Sequence, residues 1–328
     1  VYLITEEIMR RSVKLLLLPV LIILLLTTGC FFFEQSGSVN LKLTDSPIDA
    51  EDVVGVYVSI SEIQYHLGTG ENEGEWVTVS DFQGGTYNLL ELTAGVTTPL
   101  AEFPMPSGRV TQIRFILDAP EEGVTGAPEN PGCYILFEDE TTSALFVPSG
   151  AQSGVKLTGE FEVPVNGSVD ITADFDVRKS ISWSGSRYIL RPTIRLIVDN
   201  QAGSISGDVS GLEAGYKYVV FAYEAGTWLT SEIDENANGI RFSNAVSSFV
   251  LEDADLDGVA DPVDSESTDG PGYKLAFLAE GDYALVVARY ENPGLDTETV
   301  SADIAADSVS VESEGNTNQV LDLTSVIF

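Results

Sequence analysis

The sequence predicts an all-β protein, built as two antiparallel β-sandwich domains in tandem behind an N-terminal targeting segment. Three observations carry this. Apolar and polar residues alternate through most of the chain after residue 37. Segments with helical periodicity are scarce. The alternation pauses at "NQAGS", residues 200–204, and then restarts. The 328 residues suffice for two domains with real cores. A hydrophobic content of 44% separates the chain from disordered acidic tails.

From Met9 the chain runs "MRRSVKLLLLPVLIILLLTTGC". Arg10, Arg11 and Lys14 form a positive region, and Leu15 to Leu26 is an apolar run too short to span a bilayer. Small residues and Cys30 follow. This resembles a bacterial lipoprotein signal, with Thr27 where Leu is usual three places before the cysteine. The resemblance implies cleavage before Cys30 and a diacylglycerol on its thiol. The expected organisation is a signal peptide over residues 1–29 (true start at Met9), a lipidated tether over 30–37, a first β-domain over 38–199 and a second over 203–328. Phe31 after the cysteine, by analogy with enteric bacteria, favours the outer membrane. The expected location is therefore a lipid-anchored cell-envelope protein.

Within the first domain, "SVNLKLTD", "VVGVYVSISEIQYHL", "EWVTVSDF", "RVTQIRFILD", "CYILFED", "GEFEVPV", "SVDITADFDV" and "RYILRPTIRLIVD" read as strands. Asn166-Gly167 between two of them signals a hairpin. "YNLLELTAG" and "TTPLAEF" read as single helical turns. The second domain continues with "SISGDVSGL", "YKYVVFAYE", "SSFVLED", "YKLAFLAEGDYALVVARY" and "SVSVES".

Charge excludes some functions. The chain carries 51 acidic against 16 basic residues, a net charge of −35. No basic surface exists to neutralise phosphates, so nucleic acid is excluded as a partner. Residues 30–200 hold 25 acids and 9 bases, and residues 201–328 hold 24 and 4. The second domain is the more acidic. Once Cys30 is lipidated, Cys133 has no internal partner, so no disulfide framework forms and Cys133 is expected as a buried, inert thiol. His66 is the single histidine. It is expected at the surface near a strand end, which leaves no Ser-His-Asp site and no His/Cys zinc site.

The stretch 43–63, "LTDSPIDAEDVVGVYVSISEI", opens a series that continues with "YNLLELTAGVTTPLAE", "GRVTQIRFILD", "LFVPSGAQSGVKL", "DFDVRKSI" and "YILRPTIRL". Over residues 38–199 this resembles the bacterial lipoprotein family catalogued as domain of unknown function 4382. The resemblance implies a β-rich envelope domain and supplies no activity. In the second domain, "GSISGDVSGL" and the Leu-x-x-Gly-x-Tyr pattern of "LAEGDY" resemble the transthyretin-like, carboxypeptidase regulatory-like sandwich, whose late strands form a hairpin. That resemblance implies a structural or binding module.

"DADLDGVADPVD", residues 253–264, carries the chemistry. A twelve-residue calcium loop places oxygen ligands at positions 1, 3, 5, 7, 9 and 12 and glycine at 6. Here these are Asp253, Asp255, Asp257, the Val259 carbonyl, Asp261 and Asp264, with Gly258 at the turn. No acid falls between them, although a solvated acidic loop is the competing reading. The hard oxygen set suits Ca²⁺ as a structural cofactor. The flanks are strand-like and turn-like, so the loop is not an EF-hand. Its spacing resembles a single thrombospondin type-3 calcium repeat. Upstream, "DENANG" offers Asp234, Asn236 and Asn238 as half of a second loop, with a plain Asn/Gly turn as the alternative.

The sequence thus supports a non-catalytic envelope module that meets a protein or glycan ligand at the surface. The alternative is a polysaccharide-binding accessory protein or a carbohydrate-active enzyme, with Trp183, Tyr188, Trp76 and Trp228 as candidate stacking residues. Packing is the competing role for each.

Overall fold

The computed structural model describes residues 35–46, 52–67, 76–119, 132–148, 153–237, 239–263, 270–295 and 297–328. The targeting segment, Cys30, Asn238 and Asp264 lie outside these. Strand accounts for 56% of the structure and helix for 7%. The chain is an all-β protein. Among the described residues no helix is long and apolar enough to cross a membrane.

In the N-terminal half, a four-stranded sheet runs in the order Ile194–Val198, Ser168–Asp176, Ser36–Ser46, Thr98–Pro106. Facing it is a ten-stranded sheet centred on Val53–Leu67 and Gly108–Leu117. Val39, Leu41 and Leu43 from the first sheet and Val56, Val58, Ile113 and Phe115 from the second share one hydrophobic cluster. The long strand Val53–Leu67 keeps its apolar side inward by changing parity. Val56, Val58 and Ile60 are buried, then Ser61 and Glu62 are both exposed, then Ile63 and Tyr65 are buried again. A register shift between Ile60 and Glu62 marks the bulge that makes this possible.

In the C-terminal half, a four-stranded sheet is ordered Ser247–Leu251, Tyr216–Glu224, Gly281–Glu291, Thr299–Val311. A three-stranded sheet is ordered Tyr273–Ala279, Ala202–Gly207, Asn316–Asn318. The strand Tyr216–Glu224 is buried on both faces, as its nearly continuous apolar run demands. Tyr218, Val220 and Ala222 join one cluster with Ile205 and Leu275. Val219, Phe221 and Tyr223 join another with Phe242 and Ala245. At Gly207 a Cβ would collide with the Gln319 carbonyl, so this strand requires glycine where the C-terminal segment passes.

Four details depart from the sequence expectation. First, some pairings are parallel: Ser36–Ser46 with Ser168–Asp176, Thr142–Phe146 with Tyr188–Leu190, Ala202–Gly207 with Asn316–Asn318, and Val209–Ser210 with Leu321–Asp322. Each joins segments distant in the chain, which periodicity alone does not reveal. Second, Asn166-Gly167 makes a turn, with Asn166 at φ 53°, but not a hairpin. The strands on either side, Phe161–Val163 and Ser168–Asp176, enter different sheets. Asn166 donates its N–H to Ser36 O at 2.9 Å, so the turn is a corner bound to the first strand. Third, "TTPLAEF" lies mostly in the strand Thr98–Pro106, because Ser36–Ser46 offers it a free edge. Of the two expected helical turns only Leu89–Leu92 forms, as a 3₁₀ turn. Fourth, the strands of "YKLAFLAEGDYALVVARY" are not a hairpin. Tyr273–Ala279 and Gly281–Glu291 belong to different sheets, and the Tyr283 hydroxyl donates to Ala279 O across the corner at 2.8 Å.

The two halves are joined at the 3₁₀ turn Asp199–Gln201. Lys42 Nζ and Thr172 Oγ1 both donate to the Asp199 carboxylate, at 2.8 and 2.7 Å. A second tie is the short helix Val177–Ser180. Arg178 Nη1 donates to Phe242 O at 2.6 Å and Lys179 Nζ to Ala245 O at 2.5 Å. Asp176 stands 3.5 Å from Arg178 and 3.2 Å from Lys179. Residues Ser36–Phe328 form one compact unit.

Candidate metal centre

The acidic loop leaves the sheet where Ser247–Leu251 ends. Its aspartates fold it by capping their own backbone. Asp253 accepts the Asp257 N–H on Oδ1 and the Gly258 N–H on Oδ2, both at 3.1 Å. Asp255 Oδ1 accepts the Asp257 N–H at 3.2 Å, and Asp257 Oδ1 accepts the Val259 N–H at 2.8 Å. Such bonds turn short acidic side chains inward. One carboxylate oxygen from each of Asp253, Asp255 and Asp257 lies within 4.8 Å of the other two. Asp255 and Asp257 are exposed and Asp253 is half-buried.

Two left-handed residues shape the turn, Leu256 at φ 59° and Gly258 at φ 85°. The Gly258 carbonyl accepts from Gly211 N at 2.8 Å and Leu212 N at 3.1 Å, and Ala260 N donates to Val209 O at 2.9 Å. These bonds fasten the exit of the loop to the strand Val209–Ser210. Val259 sits between them, so this ladder uses neither its N–H nor its carbonyl. Gly211 and Leu212 had no signal in the sequence, because their role depends on which chain segment lies beside the loop.

The predicted ligands separate into groups. Asp253, Asp255 and Asp257 converge. Asp261 closes the base of the loop: its Oδ2 accepts the Ala254 N–H at 2.7 Å, and its N–H donates to Glu252 O at 2.7 Å. Val259 is 44% exposed at the rim. Asp264 lies outside the described residues. The half-loop upstream is a turn, with Gly239 N donating to Asn236 O at 2.9 Å and Asn236 Oδ1 accepting the Ile240 N–H at 3.2 Å. Asp234 is exposed beside it, and Asn238 is outside the described residues. The positions that would complete this second loop, Phe242 and Ala245, are core residues at 1% and 0% exposure. Phe242 packs on Trp228 and Phe221.

The other singled-out residues do not gather at the loop. Cys133 is fully buried, donates to Asp118 O at 3.2 Å, and its thiol is pushed up to about 12 by desolvation. His66 is half-buried near the end of Val53–Leu67, edge-on to Trp76 at 5.6 Å. Trp76 lies under the Arg114 guanidinium at 4.0 Å. Trp228 packs in the core beside Tyr223. Trp183, 58% exposed, pairs across a hairpin with Tyr188, their rings 4.7 Å apart.

Residues 36–192 match the family model described as Domain of unknown function (DUF4382). The match covers the N-terminal half and stops before the acidic loop. No curated protein matches the chain. Among solved structures the chain is similar to a leucine-rich repeat protein from Bacteroides thetaiotaomicron, with 13% identity over 88% of this chain and a TM-score of 0.23. It spans only 26% of that protein's length. It is also similar to an adhesin candidate from Bacteroides ovatus, with 10% identity, 87% of this chain, 92% of that one and a TM-score of 0.23. The minor pilin GBS52 of Streptococcus agalactiae gives 9% identity, 86% and 94% coverage and a TM-score of 0.17. Likeness at this level does not bear on function.

Proposed function

We propose that the chain is a lipid-anchored, non-catalytic binding module of a bacterial cell envelope, in which Ca²⁺ stabilises the C-terminal half. The convergence of Asp253, Asp255 and Asp257 within 4.8 Å, at alternate positions of a loop closed by Gly258, carries the calcium reading. Three carboxylates that close repel one another in the empty loop, and a divalent cation removes that repulsion. Val259 and Asp261 are placed at the rim and base, where small adjustments bring further oxygens to a flexible cation of high coordination number. Mg²⁺ demands tighter octahedral geometry and suits the loop less. The anchor rests on the charged, short apolar segment ending at Cys30.

The test is thermal melting of the full chain with chelator, with Ca²⁺ and with Mg²⁺. Extracellular calcium modules bind with Kd of about 10⁻⁴ to 10⁻³ M. At roughly 10 mM Ca²⁺, linkage then contributes about 1.4 to 2.7 kcal/mol, which raises the melting temperature visibly. Asp257→Ala removes most of that rise, and Mg²⁺ substitutes poorly. Superimposable curves with Ca²⁺ and chelator reduce the loop to a solvated acidic turn.

A further inference from the structure

A cleft of about 260 Å³ opens between the two halves, away from the acidic loop. One wall is the hairpin of Ile181–Trp183 and Tyr188–Leu190, which carries the Trp183–Tyr188 pair. The other wall is the turn that includes Glu235 and Arg241. Trp183 is the feature without a structural explanation. It is 58% exposed, whereas Trp76 is covered by Arg114 and Trp228 is packed against the core. A large ring kept in water at the mouth of a polar cleft is a contact surface.

The charges of the cleft decide what it contacts. In a chain with 51 acids and 16 bases, the charged groups lining this cleft among the described residues are Asp52, Glu235, Arg178 and Arg241. Two acids face two arginines, so the lining is neutral. Glu235 offers a cation little, because it stands 3.5 Å from Arg241, which also donates to Glu298 at 2.8 Å. Arg178 is committed to Asp176 and to the carbonyls of residues 241, 242 and 245. An anion fares no better, since both guanidinium groups are neutralised. What remains is an array of planar, fixed donors and acceptors beside an aromatic face. Burial, and then the neighbouring Asp52 carboxylate, raise the Tyr188 phenol above its ordinary value, so it stays a neutral hydroxyl at working pH.

We propose that this cleft binds a neutral saccharide, with one pyranose ring stacked on the exposed Trp183, beside the Tyr188 ring tilted 55° to it, and its hydroxyls held by Glu235, Arg241 and Asp52. A pyranose has the complementary chemistry: a face of C–H groups for the π surface and a rim of hydroxyls for carboxylate and guanidinium groups. The fixing of Arg241 by Glu298 lowers the ordering cost of binding. The cleft takes residues from both halves, so binding depends on their junction. The proposal rests on the reading of the chain as a surface-binding module and names the ligand class.

The experiment is affinity electrophoresis of the full chain through gels containing neutral polysaccharides (a xylan, a mannan, a β-glucan) or the anionic polysaccharide alginate. Soluble oligo-lysine serves as a competitor. The expected result is retardation by at least one neutral polysaccharide and none by alginate. Trp183→Ala weakens that retardation by about tenfold or more. Trp183→Phe retains much of it, and Trp76→Ala leaves it unchanged. Glu235→Gln, which keeps the shape of the side chain, weakens it as well. Trp183 is exposed, so its variants keep the parent melting curve. No retardation by any neutral polysaccharide overturns the proposal. So does retardation indifferent to Trp183→Ala, or binding of oligo-lysine that Trp183→Ala abolishes. Calcium-dependent melting is read separately on the same samples. If it persists without sugar retention, this cleft assignment alone fails; if it is absent, the calcium reading fails whatever the gels show.

Discussion

At the residue scale, the two cysteines stand in opposite sequence contexts. Cys30 ends a signal-like segment, and Cys133 begins a strand in the core. Thiolate is the reactive form, and Cys133 is desolvated, with its thiol pushed up to about 12. Cys30→Ser is expected to release the protein from membranes and to remove the lipid mass. In the released chain Cys133 is the sole thiol. Its alkylation at pH 8 is expected to run roughly a hundredfold or more slower than after unfolding, because burial disfavours the thiolate. Membrane retention of the variant, or prompt labelling of the folded chain, defeats the corresponding half of this prediction. Other residues show how context overrides type. Glu232 is buried at 8% exposure because the Tyr223 hydroxyl donates to it at 3.0 Å and the Asn244 N–H at 2.9 Å. Nothing in "TSEID" distinguishes it from its exposed neighbour Glu235.

At the scale of elements, alternation revealed most strands, and its failures have identifiable causes. The bulge at Ser61-Glu62 reverses parity, yet both parts of the strand read correctly because each keeps its own alternation. Asn166-Gly167 supplied a turn but not its partner strands, since a local φ preference does not specify which sheet receives the next segment. The alternate spacing of Asp253, Asp255 and Asp257 was legible, because residues at every second position are a local property. The loop's attachment was not. Gly258 holds the loop to Gly211 and Leu212, with φ 85° and space for a Cβ only 3.3 Å from the Leu212 carbonyl. Gly258→Ala is therefore expected to destabilise the chain by roughly 1–2 kcal/mol in urea denaturation, the cost of a left-handed L-residue. The Ca²⁺-dependent rise in melting temperature should shrink with it. Unchanged stability together with an unchanged calcium response means that the turn does not control the loop.

At the scale of the whole molecule, the hydrophobic clusters divide where the sequence pattern restarts. One is drawn from residues 39–194 and the other two from residues 205–323. Side-chain ties across the junction centre on Arg178 and Lys179, which donate to carbonyls of the other half, with the Arg178 guanidinium 5.2 Å from the Phe221 ring centroid. In an isolated N-terminal half, water replaces the carbonyl partners of Arg178 and Lys179, so no buried charge is left unpaired. Residues 38–199 expressed alone are expected to melt cooperatively, at a temperature unaffected by Ca²⁺. A fragment that is unfolded while the full chain is stable means that the halves fold as one.

Several properties of this protein follow from the sequence by itself. Its β class is set by a period of two. The acidic charge is a count. The scarcity of histidine and cysteine and the alternate spacing of Asp253, Asp255 and Asp257 are likewise compositional or local. Only the tertiary structure decided which strands pair in parallel, that Gly258 is bound to Leu212, and that Asp253, Asp255 and Asp257 converge while Asp261 closes the base. It alone brought Trp183 and Tyr188 opposite Glu235 and Arg241, more than forty residues away in the chain. The reason is common to all of these. Backbone preference and hydrophobic period act over a few residues, whereas sheet partners, buried charges and clefts are set by contacts between segments whose separation in sequence carries no information about their separation in space.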